Sequence, residues 1–250
     1  MDSSMMTMQT ISNFGFSGTN IDDLGASEYT LASVVCDVSG SVVAFKNELR
    51  KCLKTILGSC TNNPRAENTM LRLVEFADSV QEIHGFRPIS EIDQSEYDNA
   101  VKIHGCTALY DAVLSALEAT CQYAEVLNSQ DYDANAVIYV LTDGMDNQSS
   151  SGPAAIKKAL RDARKSECLE SIAVILIEVG TADPHVMTYL NDLKTQADLD
   201  QFIDISDLFA KTNPEKAMAK LAGFISKSIS STSQALVNGS SSPTSSLLTF

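Results

Sequence analysis

Residues Leu31 to Cys36 form a mostly apolar run that ends in Asp37-Val38-Ser39-Gly40-Ser41, a carboxylate and two hydroxyls at alternate positions. Apolar residues occupy both faces of the run instead of alternating, so it reads as a strand buried on both sides. Such a strand needs a sheet covered by helices above and below. From Val42 to Leu57 the apolar residues fall at 42, 45, 49, 52, 53 and 56, a helical stripe, with Gly58 as its expected stop. Asp37, Ser39 and Ser41 are therefore placed on a loop at the carboxyl end of a strand, where open α/β sheets bind ligands. Three hard oxygen donors on one tight loop suit a hard cation such as Mg2+. Gly40 lets the backbone turn sharply between them.

The same alternation continues along the chain. Strands are expected at Met70–Ala77, Val80–His84, Asn135–Thr142, Ser171–Val179 and Gln201–Ile205. Amphipathic helices are expected from Leu109 to Leu127, Pro153 to Glu167, Asp183 to Ala197 and from Pro214 onward. The two-residue turn Asp78-Ser79 makes Val80–His84 a short strand antiparallel to its predecessor. The order predicts an α/β fold with a doubly wound, mostly parallel sheet, helices on both faces and one short antiparallel edge strand. Residues 1–27 read as an extension in which Ile11, Phe14, Phe16 and Ile21 are available to pack as an edge hairpin. Residues 28–230 read as one domain. Residues 231–250 read as a flexible Ser/Thr-rich tail whose end, Leu247-Leu248-Thr249-Phe250, is apolar enough to suggest a docking peptide.

Charge narrows the function classes. Eighteen Lys and Arg against 32 Asp and Glu give a formal charge of −14. No basic cluster is present, so nucleic acid is an unsuitable partner, because phosphate neutralisation needs one. No apolar stretch approaches the roughly 18 residues of a membrane span, and no basic region followed by an apolar one opens the chain. Six cysteines without CxxC or Cys/His spacing read as reduced, core-filling thiols in a cytoplasmic protein. P-loop, Gly-x-Ser-x-Gly, His-Glu-x-x-His and Gly-x-Gly-x-x-Gly patterns are absent. A phosphoryl-transfer hydrolase with its nucleophile at Asp37 is the enzyme alternative, but such enzymes want Asp-x-Asp and position 39 is Ser. The three histidines are not spaced as a site. Cys106 reads as packed, and Asp111 as a first-turn acid complementing the helix dipole.

Two further segments belong to the same rim. Gly105-Cys106-Thr107-Ala108-Leu109 precedes the long amphipathic helix, and Leu141-Thr142-Asp143-Gly144 closes a buried strand. With Asp37-x-Ser39-x-Ser41, these segments resemble the von Willebrand factor A domain, also called the integrin I-type domain, over roughly residues 28–230. That family's metal-ion-dependent adhesion site is Asp-x-Ser-x-Ser, then a Thr, then an Asp, and Asp37, Ser39, Ser41, Thr107 and Asp143 match all five places.

The resemblance implies a Rossmann-like fold and a non-enzymatic binding mechanism. Ser39, Ser41 and Thr107 would ligate Mg2+, or Mn2+ or Ca2+ in its place, while Asp37 and Asp143 act largely through bound water. An open coordination position would accept an Asp or Glu carboxylate of a protein partner, across a rim that includes Gly40 and Gly144. The loop residues Asp146 and Asn147 either shape that partner-binding rim or are simply solvated. The implied protein is a stand-alone module of bacterial or phage character, a type often found as adaptor to a MoxR-type AAA+ ATPase. The other reading is a structural subunit of a larger phage or secretion assembly, in which the metal is incidental.

Overall fold

A strand that is apolar on both sides needs cover on both, and Glu28–Asp37 has it. Its Tyr29, Leu31 and Val35 enter one core, and Ala32, Val34 and Cys36 enter the other. The computed structural model describes residues 5–180 and 183–237. Its strands are β1 (Met5–Gln9), β2 (Gly15–Thr19), β3 (Glu28–Asp37), β4 (Thr69–Phe76), β5 (Val80–Pro88), β6 (Asp133–Thr142), β7 (Ser171–Glu178) and β8 (Gln201–Asp204). They make one sheet in the order β1-β2-β5-β4-β3-β6-β7-β8. The strands β4, β3, β6, β7 and β8 are parallel, whereas β5 runs antiparallel to β4. The helices α1 (Lys46–Thr61) and α6 (Pro214–Val237) cover one face, and α2 (Leu109–Asn128), α3 (Pro153–Lys165) and α4 (Pro184–Ala197) cover the other. A short helix, α5 (Ser206–Lys211), follows β8. Among the described residues no helix is long and apolar enough to cross a membrane.

The doubly wound fold is the expected one, with local differences that have physical causes. The chain after Ser39 first makes a 3-10 turn over Gly40–Phe45, and α1 begins only at Lys46. That helix runs through Gly58 to Thr61 instead of stopping. A Cβ on Gly58 would lie 2.7 Å from Gln94 Nε2, so this glycine makes room for a side chain that donates to Lys54 O. The antiparallel strand β5 is nine residues long and is not at the sheet edge, because β2 pairs with it and β1 closes the hairpin. Helix α6 continues to Val237, with Asn135 Nδ2 donating to Thr232 O (2.7 Å) and Arg65 Nε to Ser233 Oγ (2.8 Å). The apolar end Leu247-Leu248-Thr249-Phe250 lies outside the described residues.

The hairpin seats through close backbone approach. A Cβ on Gly85 would stand 2.0 Å from Ser17 O, and one on Gly18 2.4 Å from the Tyr123 ring. Tyr123 Oη donates to Thr19 O (2.9 Å), and Ser17 N donates to Glu82 Oε1 (2.9 Å). Replacing Gly85 with Val is expected to push β2 off the sheet and destabilise the protein by about 1–3 kcal/mol through overpacking. Amide hydrogen exchange would show protection lost in β1 and β2 and kept in β3 and β6. Unchanged protection in β2 would mean that the hairpin seats by other contacts.

Candidate metal centre

Parallel pairing of β3 with β6 puts the two strand ends side by side, in the register Cys36 opposite Leu141. The next residues on each chain path are Asp37 and, past Thr142, Asp143. Both carboxyls are nearly inaccessible, at 1% and 3% exposure. Asp37 Oδ1 accepts from Ser39 N (2.8 Å) and Asp37 Oδ2 from Thr142 Oγ1 (2.6 Å). Ser39 Oγ and Ser41 Oγ are 3.2 Å apart, and Ser41 Oγ donates to Asp143 Oδ1 (2.7 Å). Neither Ser39 nor Asp37 caps a helix. Ser39 makes no capping bond to the 3-10 turn, and α1 starts at Lys46, after Phe45, without a side-chain cap. Thr107 sits just before α2, with its Oγ1 3.8 Å from where a Cβ on Gly144 would be. Asp37, Ser39, Ser41, Thr107 and Asp143 thus share one rim, and Gly40 and Gly144 lie between them.

The Thr107 loop is held by groups that local sequence does not mark. Gly105 adopts φ +62°, and a Cβ there would lie 1.9 Å from Asp78 Oδ2. Asp78 Oδ1 accepts from Cys106 N (2.7 Å), His104 N donates to Val38 O (3.0 Å), and Ala108 N donates to Ala77 O (2.7 Å). Val101, a β-branched residue, is held at φ +61° with its amide on the buried Glu75 carboxylate. A left-handed β-branched residue persists only where its surroundings over-determine it. Arg50 adds two donors to Ala100 O, at 3.1 and 2.8 Å. Cys106 is exposed, not packed as expected, because its amide is turned onto Asp78 after the left-handed glycine.

The loop after Asp143 is clamped to α2. Thr107 N donates to Asn147 Oδ1 (2.8 Å), and Asn147 N donates to Thr107 O (3.0 Å). Asp146 Oδ1 accepts from Tyr110 N (3.2 Å), and Asp146 N donates to Tyr189 Oη (3.1 Å). Asp111 accepts from Ser150 N (2.9 Å) and Ser151 N (3.0 Å). Burial tends to raise its pKa, but the bonds from Ser151 and Ser150 outweigh burial and hold it below the ordinary aspartate value. Beyond complementing the helix dipole, Asp111 therefore ties the β6–α3 loop to the first turn behind Thr107. Asp146 and Asn147 do similar work from the other side. Of the histidines, His84 is buried and stacked on Tyr97, and burial lowers its pKa to about 4.

The electrostatics show what the rim lacks. Burial raises the pKa of Asp37, against the bonds from Thr142 and Ser39. Burial, with a smaller push from Asp37, raises Asp143 to about 6. Among the described residues no Lys, Arg or His forms an ion pair with either carboxyl. Nor does any group of three or more His, Cys, Asp or Glu converge on one point. Two buried carboxyls and three hydroxyls are a hard, oxygen-only donor set with uncompensated anionic character. That set fits a small divalent cation, which would relieve the desolvation of both carboxylates.

The sequence profile of the von Willebrand factor type A domain matches residues 33–215. The chain belongs to that family. Domains of this family are typically protein-interaction modules, and their metal-ion-dependent adhesion site binds a divalent metal. Among curated proteins nothing matches the sequence. Solved structures share the fold of this von Willebrand A domain at low identity. A D319A mutant of the PilB minor pilin of Streptococcus sanguinis is 16% identical with a TM-score of 0.57, over 85% of this chain and 64% of that one. Proximal thread matrix protein 1 of the mussel byssus is 18% identical with a TM-score of 0.55, over 82% and 47%. The open form of the pilus adhesin SpaC of Lactobacillus rhamnosus GG is 14% identical with a TM-score of 0.54, over 87% and 31%. The chain thus spans between 31% and 64% of the lengths of these three proteins. The β1–β2 hairpin lies outside the matched residues of the A domain.

Proposed function

We propose that this A domain holds Mg2+ through Ser39, Ser41 and Thr107, with Asp37 and Asp143 behind them, and binds a protein partner through a partner Asp or Glu. The observation that carries this reading is the pair of buried carboxyls at adjoining strand ends, linked through Ser39 and Ser41 and, among the described residues, without a basic partner. The bound cation would supply a positive centre that attracts an external carboxylate, since few of its direct ligands would carry charge. The chain's own residues prepare the surface around it. Val43 and Met145 are exposed large apolar residues on the two loops that carry Ser41 and Asp143. They suit a partner carboxylate flanked by aliphatic side chains. In its finer form the reading is a cytoplasmic adaptor for an AAA+ ATPase of the MoxR type. The six free thiols support a reducing compartment, and family association supports the ATPase.

Mg2+ at a hundredfold excess over its Kd is expected to stabilise the fold by about 2.7 kcal/mol, a rise in Tm of roughly 5–10 °C for a chain of this size. Mn2+ and Ca2+ titrations rank the ions. Asp37→Ala should show no rise with any of them. A rise in that variant equal to the native one would place the ion elsewhere. The partner test is a pull-down with the native chain in Mg2+, the native chain in EDTA, and Asp37→Ala in Mg2+. A partner retained only in the first supports carboxylate bridging. One retained equally in all three would assign binding to a metal-independent assembly surface.

A further inference from the structure

We infer that the groove between α2 and α3 receives a basic amphipathic helix of a partner protein, at a surface separate from the metal centre. The groove has a volume of about 500 Å3. Its floor is apolar, with Leu114, Leu117 and Cys121 from α2 facing Ala155, Ala159 and Ala163 from α3. The three alanines repeat every fourth residue, so they form one stripe of small side chains along α3. Small side chains along α3 and the half-buried Cys121 of α2, lying over the buried Leu114 and Leu117, leave a trough where a third helix can lie against two.

The lip of the trough comes from the β1–β2 hairpin, which lies outside the residues matched to the family. Ile11, at the β1–β2 turn, is 88% exposed, more than Val43 or Met145. It is presented there by a built turn. Thr10 N donates to Phe14 O (2.8 Å) and Asn13 N to Thr10 O (2.9 Å). Ser12 fastens that turn to α2, donating to the Glu118 carboxylate through its amide (2.9 Å) and its hydroxyl (2.8 Å). One exposed apolar side chain is ordinary on a protein surface. Here it is fixed beside an apolar trough and extends it.

Charge decides the occupant. Of the rim groups, Asp162 is answered by Lys158 at 3.6 Å and Arg161 at 3.7 Å. Glu118 and Glu125 line the α2 wall, and among the described residues no Lys or Arg pairs with them. They are two helical turns apart on one face, about 10 Å at 1.5 Å per residue. A partner helix with aliphatic anchors on one stripe and Lys or Arg two turns apart beside it matches both features. The floor from Leu114 to Glu125 accommodates about three turns of it.

The test uses the full chain and fluorescence anisotropy with a synthetic helical peptide, leucines at 3-4 spacing and lysines seven residues apart, against the same peptide with glutamates in place of the lysines. The lysine peptide should bind and the glutamate peptide should not. Ile11→Ser and Glu125→Lys should each weaken binding by about tenfold or more, and Ala159→Gln, which fills the trough, should abolish it. Ile11→Ser and Glu125→Lys change exposed residues and should leave Tm unaltered. Ala159 is half-buried against the core, so its variant is compared only where its Tm matches the native one. Asp37→Ala should leave peptide binding unaltered. Equal affinity in the three groove variants, or equal affinity for both peptides, overturns the proposal. A self-association that Ile11→Ser abolishes would give the groove to a second copy. Tighter peptide binding after removal of residues 238–250 would give it to that segment. Either result overturns the partner-helix assignment.

Discussion

Asp143→Asn is expected to make the metal-free protein more stable than the native one at pH 7.5 and to remove its stabilisation by Mg2+. Asp143 is buried, and burial raises its pKa from 3.8 to about 6. A carboxyl whose folded pKa lies above its unfolded value favours the folded state when protonated. Its contribution is full below about pH 4 and is lost as the pH rises through about 6. At pH 7.5 the ionised group therefore opposes folding by about 2–3 kcal/mol when no cation is bound. Asparagine keeps an acceptor for Ser41 Oγ and carries no charge, so it removes both the penalty and its pH dependence. Urea unfolding in EDTA at pH 5.0 and 7.5 measures this directly. The native protein should lose stability between the two, relative to Asp143→Asn. With excess Mg2+ the order should reverse, because only the native chain retains the charged donor. A variant less stable than the native protein in EDTA at pH 7.5 would show that Asp143 is compensated by something other than a metal. The site would then trade stability of the empty fold for affinity, a common cost of function.

Glu82→Ala is expected to destabilise the protein by about 3–5 kcal/mol, the range for stranding a buried charge. Arg72 on β4 is fully buried, and its Nε donates to Glu82 Oε2 at 2.7 Å. Among the described residues its two Nη atoms find no hydrogen-bond partner. Burial pulls the guanidinium below its ordinary pKa, and the Glu82 charge and hydrogen bond pull it back. Removing that carboxylate leaves a desolvated cation and also deprives Ser17 of its acceptor, so the β1–β2 hairpin loosens with it. The double variant Arg72→Met, Glu82→Gln should recover most of the loss, because no buried charge remains. Urea midpoints of the single and double variants decide the matter. If Glu82→Ala unfolds within about 1 kcal/mol of the native chain, the Arg72 charge is relieved by another group.

Local sequence determined the strand-and-helix order and the five residues gathered at the rim. Leu31 to Cys36, Val137 to Leu141 and the stripe from Leu109 to Leu127 each state by period which faces are buried. Asp37, Ser39, Ser41, Thr107 and Asp143 stand at the ends of those segments. Period alone encodes burial of one element against an unspecified neighbour. The pairing of β3 with β6, which sets their two ends side by side, was decided by the tertiary structure, because the handedness of a crossover does not say which strands are neighbours. Tertiary structure alone decided what holds those ends in place. Asp78 supports Cys106 from 28 residues away, Asn147 meets Thr107 across 40, and Asp111 holds Ser150 across 39. An acid or amide in a loop carries no local signal of such a partner, since its bond depends on where two distant backbones meet. The same holds for Gly58, Gly85 and Gly18, which look like breakers in sequence and in space are points of close approach for Gln94, Ser17 and Tyr123. Period reports which side of an element is dry, whereas contact between loops depends on shapes that exist only after the sheet has formed.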